Sequence, residues 1–150
     1  MINTVTNAGA ILKKNPDNYL EFITKINKPI DGKTNNLRGD LFELAVGYYH
    51  SRDCNNLYIG KLINFEGTTR DADVFAVFSN KIIIAECKGY KRKLSVEVIE
   101  KWLSETISIF RKYILTQDVY NNKELIFEFW STGGFTEDAI VNLNHAKKNY

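Results

Sequence analysis

Residues 70–90 read RDADVFAVFSNKIIIAECKGY, and the reading of this stretch decides the fold. Two runs rich in β-forming residues flank Ser79 and Asn80, a polar pair suited to the two-residue loop of a tight hairpin, with Asn80 supplying the positive φ such turns favour. Taking that pair as the loop fixes the register. Phe78 pairs with Lys81, Val77 with Ile82 and Phe75 with Ile84, so Asp73 falls opposite Glu86. Strand alternation then returns Lys88 to the face of Glu86, while Ala85 and Cys87 point away. Directly opposed carboxylates have Cβ atoms about 4.5–5.5 Å apart and destabilise a sheet unless something offsets them. Either one carboxyl takes a proton or a cation lies between them, and hard divalent ions such as Mg²⁺ take carboxylate oxygens as ligands. The plainer alternative is a pair of solvated strand ends, with Glu86 bonded to Lys88.

Outward from the hairpin, the chain has the composition of a single globular domain. Its 150 residues are 44% hydrophobic and 25% charged, with a formal net charge of +2, too small to imply a polyanionic partner by itself. No apolar run reaches the roughly 18–20 residues of a membrane span, and MINTVTNAGAILKKN lacks the pattern of a secretory signal. Cys54 and Cys87 have no metal-ligand spacing, which favours a reducing cytoplasm.

Asn15 and Pro16 open a first helix over about 16–27, and KPIDGKTNN reads as a linker, so residues 1–35 form a helical N-terminal appendage. From Asn36, the positions of Leu37, Leu41, Leu44, Ala45 and Tyr48 predict an amphipathic helix that carries Glu43. NLYIGKLINF predicts a strand ahead of the hairpin. Residues 95–115 predict a long helix with Ser95 as N-cap, and ELIFEFW predicts a fourth strand. STGGF turns the chain into a last helix capped by Thr136. The result is an α/β domain over 36–150 with an αβββαβ core, in which a four-stranded mixed sheet is flanked by helices.

Asp73, twelve intervening residues and then Glu86-Cys87-Lys88, preceded by a helix with Glu43 and followed by a helix, resembles the PD-(D/E)XK nuclease superfamily. The likeness is nearest to the catalytic domains of Mrr-like restriction endonucleases. AECKGYKRKLSVEVIEKW is similar to their passage from catalytic lysine into a basic loop and helix, and STGGFTEDAI to their turn from the last strand into the last helix. It covers about residues 36–148. Ala72 stands where the superfamily name implies proline, and Mrr-like members often carry glutamine at the place of Glu86.

The resemblance implies a restriction-endonuclease-like fold and a Mg²⁺-dependent endonuclease, with Mn²⁺ able to substitute, that hydrolyses phosphodiester bonds to leave 5′-phosphate and 3′-hydroxyl ends. Asp73 and Glu86 would be metal ligands, the carbonyl of Cys87 a third, and Glu43 would hold an ion through water. Lys88 would orient the attacking water and help deprotonate it. Asp71 competes with Asp73, but only Asp73 is registered against Glu86. Lys91, Arg92 and Lys93 would meet phosphates and Tyr90 would stack on a base or sugar, with Arg38 and Arg70 extending the surface. DNA is expected ahead of RNA, in bacterial restriction or defence, with a homodimer for double-strand cutting. One alternative is a toxin nuclease delivered to a target cell and neutralised by an immunity protein; another is a binding module that cleaves nothing. His50 and His145 read as structural or exposed, and Trp102 and Trp130 as core residues.

Overall fold

The computed structural model describes residues 35–149, with the side chains of 39–147. The helix expected over 16–27, and the appendage with it, lies outside the described residues. The elements follow in the order α1 (Asn35–Ser51), β1 (Asn56–Phe65), β2 (Thr68–Val77), β3 (Lys81–Lys88), α2 (Val96–Lys101), a π-helical turn (Trp102–Thr106), α3 (Ile107–Leu115), a 3-10 turn (Asp118–Tyr120), β4 (Glu124–Ser131) and α4 (Glu137–Asn149). The sheet order is β1-β2-β3-β4. The first two pairings are antiparallel and β3–β4 is parallel. This is the αβββαβ order and the mixed, helix-flanked sheet expected from the sequence.

The hairpin register is the expected one. Val77 pairs with Ile82, Phe75 with Ile84 and Val74 with Ala85. The turn is built differently from the expectation, because among the described residues only Glu66 and Asn122 are non-glycine residues with positive φ. Asn80 therefore stays in ordinary backbone space, and the turn is held from outside. Lys123 Nζ donates to the carbonyls of Phe78 (2.6 Å) and Ser79 (2.8 Å), and the Glu124 N–H donates to the Asn80 carbonyl (2.9 Å).

The central strands β2 and β3 are covered on both faces, which is why they are nearly continuous apolar runs. One face packs Phe75, Val77, Ile82 and Ile84 against Phe110 and Ile114 of α3. The other packs Val74, Ala85 and Cys87 against Phe42 and Val46 of α1. Each fully buried side chain of this size contributes about 1.5–3 kcal/mol. The stripe that α1 buries is thus Phe42, Ala45 and Val46, whereas Leu41, Leu44 and Tyr48 are only half-buried. Two adjacent apolar stripes on one helix left the sequence periodicity ambiguous between them.

The expected long helix over 95–115 is interrupted. Apolar contacts fall at Ile99, Trp102, Ile107, Phe110 and Ile114, and the gap of five between Trp102 and Ile107 is one too many for an α-helix facing a single sheet. The π-helical turn absorbs it, with the Ile107 N–H donating to the Trp102 carbonyl. Trp102 is thereby seated edge-on against Phe129 of β4, with centroids 5.0 Å apart. Ser95 stands at the N-cap position but its hydroxyl makes no capping bond. Thr136 does cap α4, its Oγ1 accepting from the Ala139 N–H at 3.4 Å.

Candidate active site

Asp73 lies where β2 departs from regular alternation. Phe75 and Val77 pack on the α3 side and Val74 on the α1 side, yet Ala72 packs with Phe75. The β1–β2 ladder runs from Ile59↔Val74 to Lys61↔Ala72 and skips the pair between them, Gly60 and Asp73. Gly60 has φ +67°, a conformation that only glycine adopts cheaply, so the kink is written into β1 opposite the acid. The β2–β3 ladder stops at Val74↔Ala85, one step before the acid. The Asp73 side chain turns into the gap between the strands, where Oδ2 accepts the Cys87 N–H at 2.8 Å. The expected pairing of Asp73 with Glu86 is therefore absent from the ladder, and the two acids act on each other by charge across its open end.

Glu86 bonds Lys88, Oε1 to Nζ 3.2 Å, across the two-residue spacing of β3. Glu43 reaches the same place from α1 and shares a hydrogen bond with Asp73. Burial, then the charges of Asp73 and Asp40, push the Glu43 carboxyl up to about 8, so at neutral pH it holds a proton that it donates to Asp73. Burial also raises Asp73, against the opposing pull of the Cys87 N–H and of Lys88. Glu86 is raised by burial and by Asp73, with Lys88 working against the rise. Burial alone would lower the Lys88 ammonium, but Glu86, by charge and hydrogen bond, together with Tyr90 and Asp73 outweighs it, and the net shift is upward. Without a cation Lys88 is a charged donor, suited to orienting an oxygen and ill suited to taking its proton.

Cys87 has its side chain packed among Phe42, Val46 and Trp130, and burial pushes its thiol up, far from a thiolate. Both cysteines are free. Among the described residues, no group of three or more His, Cys, Asp or Glu side chains is arranged to hold a metal ion. The carboxylates are turned onto Cys87, Lys88 and one another. Asp71, the rival of Asp73, is exposed and paired with Leu62 in the outer part of the hairpin.

The basic loop follows β3 directly. Lys91, Arg92 and Lys93 are exposed, and the Arg92 guanidinium lies 5.3 Å from the centre of the Tyr90 ring, covering one face of that ring. Arg70 gives one N–H to the Thr69 carbonyl at 3.0 Å. Arg38 is on α1 five residues before Glu43, and its side chain lies outside the described residues.

A half-open cleft of about 610 Å³ sits elsewhere, between the end of α1 and the 78–81 turn, lined by Tyr49, His50, Phe78, Lys81 and Glu128 among others. Lys81 and Lys88 are the two ends of β3, so the cleft and the carboxylates are about 20 Å apart along the strand. The acids, not this cleft, carry the chemistry the sequence points to. His50 is buried as expected of a structural residue, and the sequence did not expose its partner: Nε2 donates to Glu128 Oε1 at 2.7 Å, and Trp130 Nε1 donates to the same oxygen at 2.9 Å. Asp40, one turn before Glu43, is a second neighbour that the sequence reading did not single out.

No family model matches the chain and no curated protein matches it. Among solved structures it is similar to the small subunit of a heterodimeric restriction endonuclease, at 15% identity and a TM-score of 0.44, over 77% of this chain. The match spans 59% of that subunit's length.

Proposed function

We propose that this chain is a metal-dependent nuclease that hydrolyses phosphodiester bonds of DNA in a restriction or defence setting. The observation that carries this reading is the convergence of Glu43, Asp73, Glu86 and Lys88 on the open end of the β2–β3 ladder, beside an exposed cationic loop. The donors fit a hard divalent cation in kind, being carboxylate oxygens raised by burial and by one another. Their present partners would have to yield to it. Asp73 and Glu86 would hold the ion with the Cys87 carbonyl, and Glu43 would assist through water.

Bound there, Mg²⁺ would lower the pKa of a water and stabilise charge on the phosphate. The chain's own contribution is placement. Lys88, charged and held by Glu86, presents its ammonium to the attacking or phosphate oxygen. Lys91, Arg92 and Lys93 would anchor the backbone without reading sequence. Since the domain carries one such site, cutting both strands calls for two copies.

The test is cleavage of plasmid DNA and of transfer RNA with Mg²⁺, Mn²⁺ or EDTA, by the wild type and by Lys88→Ala. Metal-dependent cutting that disappears in the variant is the expected result, and the preferred polymer identifies the substrate. If neither polymer is cut and calorimetry detects no Mg²⁺ binding, the enzyme reading fails and a binding module takes its place.

A further inference from the structure

The basic loop is not a free strap. It is laid along the turn that follows β4. The Thr132 N–H donates to the Lys88 carbonyl at 3.2 Å, and Thr132 Oγ1 donates to the Tyr90 carbonyl at 3.0 Å. Beyond the cationic residues the loop is tied again, with the Leu94 N–H donating to the Gly134 carbonyl at 2.9 Å and the Thr136 N–H to the Leu94 carbonyl at 3.0 Å. Leu94 also forms an isolated parallel bridge with Phe135 and is 1% exposed. Between these two anchors sits Gly133. A β-carbon there would fall within 2.6 Å of the Tyr90 carbonyl oxygen and closer still to that of Arg92. Both obstacles are backbone, so they cannot swing aside as a flexible side chain would.

We infer that Thr132 and Gly133 are positioning residues that hold the 89–93 loop in a fixed arch, so that Lys91, Arg92 and Lys93 meet successive phosphates of a duplex at a set distance from Lys88. This rests on the nucleic-acid reading of the preceding section and goes beyond it, since neither residue bears a charge or faces the acids. Four hydrogen bonds on a stretch of seven residues, Lys88 to Leu94, with Gly133 packed against the loop backbone, are more than solubility requires of an exposed lysine run. Such a run on a mobile loop would attract polyanions equally well at long range. What the clamp adds is simultaneous engagement, because the ordering entropy of the loop is removed before binding.

The experiment is equilibrium binding of a fluorescent DNA duplex in EDTA, so that no cutting intervenes, across about 50–200 mM salt. Wild type, Gly133→Ala, Thr132→Val and Thr132→Ser are compared, with circular dichroism melts to establish folding. Each phosphate contact contributes roughly 0.9 to the slope of log affinity against log salt. Gly133→Ala and Thr132→Val are expected to weaken binding about tenfold and to lower the slope by about one contact, while Thr132→Ser, which keeps the hydroxyl, restores both. A merely structural role would lower the melting temperature and leave the slope of the folded protein unchanged. That result, in either variant, overturns the inference. If Gly133→Ala does not fold, the Thr132 pair decides alone. A wild type that binds no duplex at the lowest salt overturns the nucleic-acid reading itself, and the inference with it.

Discussion

Glu43→Gln separates the cost of the cation-free site from its use. In the folded protein Glu43 needs a pH of about 8 to ionise, against about 4.5 for an ordinary glutamate, with burial the largest cause and Asp73 next. A carboxyl raised in this way favours the folded state fully below its unfolded pKa, and that support is lost as pH rises from about 4.5 to about 8, because folding must take up a proton from solution. At 1.4 kcal/mol per pH step the full displacement would be about 5 kcal/mol. The side chain is still partly solvated, and screening reduces this to about 1–2 kcal/mol. Glutamine keeps the hydrogen-bond donor to Asp73 and has no proton to gain. In EDTA, Glu43→Gln is therefore expected to match the wild type near pH 4.5 and to exceed it by about 1–2 kcal/mol at pH 8.5, measured by urea denaturation. Added Mg²⁺ should then raise the midpoint of the wild type more than that of the variant. If the variant is the less stable at pH 8.5, or if the difference does not grow with pH, the shared proton between Glu43 and Asp73 is wrong.

Two further expectations concern the frame. Burial would raise Glu128, but the hydrogen bonds from His50 and Trp130 outweigh it and hold its carboxyl below the usual range. Its contribution is thus present above about pH 4.5 and lost as pH falls through the lowered value; Glu128→Gln should cost about 1 kcal/mol at pH 7 and less at pH 3, by denaturant titration at both. Phe110, 2% exposed between α3 and the sheet, should cost about 3–5 kcal/mol on truncation to alanine, measured by the same titration, and a loss under 1 kcal/mol would place the main core elsewhere.

The hairpin was legible because its evidence is local. Once Ser79 and Asn80 are the loop, the pairings from Val77–Ile82 to Val74–Ala85 follow by counting, whereas the kink that takes Asp73 out of the ladder does not. The helices were legible in position but not in orientation, since α1 carries two neighbouring apolar stripes and the choice between them is made by the sheet it meets. What escaped has its cause far away in the chain. Lys123 holds a turn 44 and 45 residues upstream, and His50 meets a carboxylate 78 residues on. The gap of five between Trp102 and Ile107 was in principle readable, and it signals the π-helical turn only once both residues are known to face one sheet. At the site, the role of Gly60 is visible only when Asp73 is found opposite to it.

Asp73 does two things that mutation can separate. Where the ladder opens, the Cys87 N–H takes its partner from the Asp73 side chain, through Oδ2 at 2.8 Å. A buried backbone N–H without an acceptor costs about 1–3 kcal/mol. Asp73→Ala should therefore lose stability in EDTA by about that amount, along with any Mg²⁺ binding. Asp73→Asn keeps an oxygen for the N–H and removes one of the mutually repelling charges that raise Glu43 and Glu86, so it should be as stable as the wild type or more so, and still bind no Mg²⁺. Calorimetric Mg²⁺ titration beside urea melts of both variants gives the two readings at once. Equal destabilisation by Ala and Asn would mean that the negative charge itself holds the strands together at this point. In that case the open end of the ladder is a structural ion-pair cluster around Lys88, not a site kept strained for a cation.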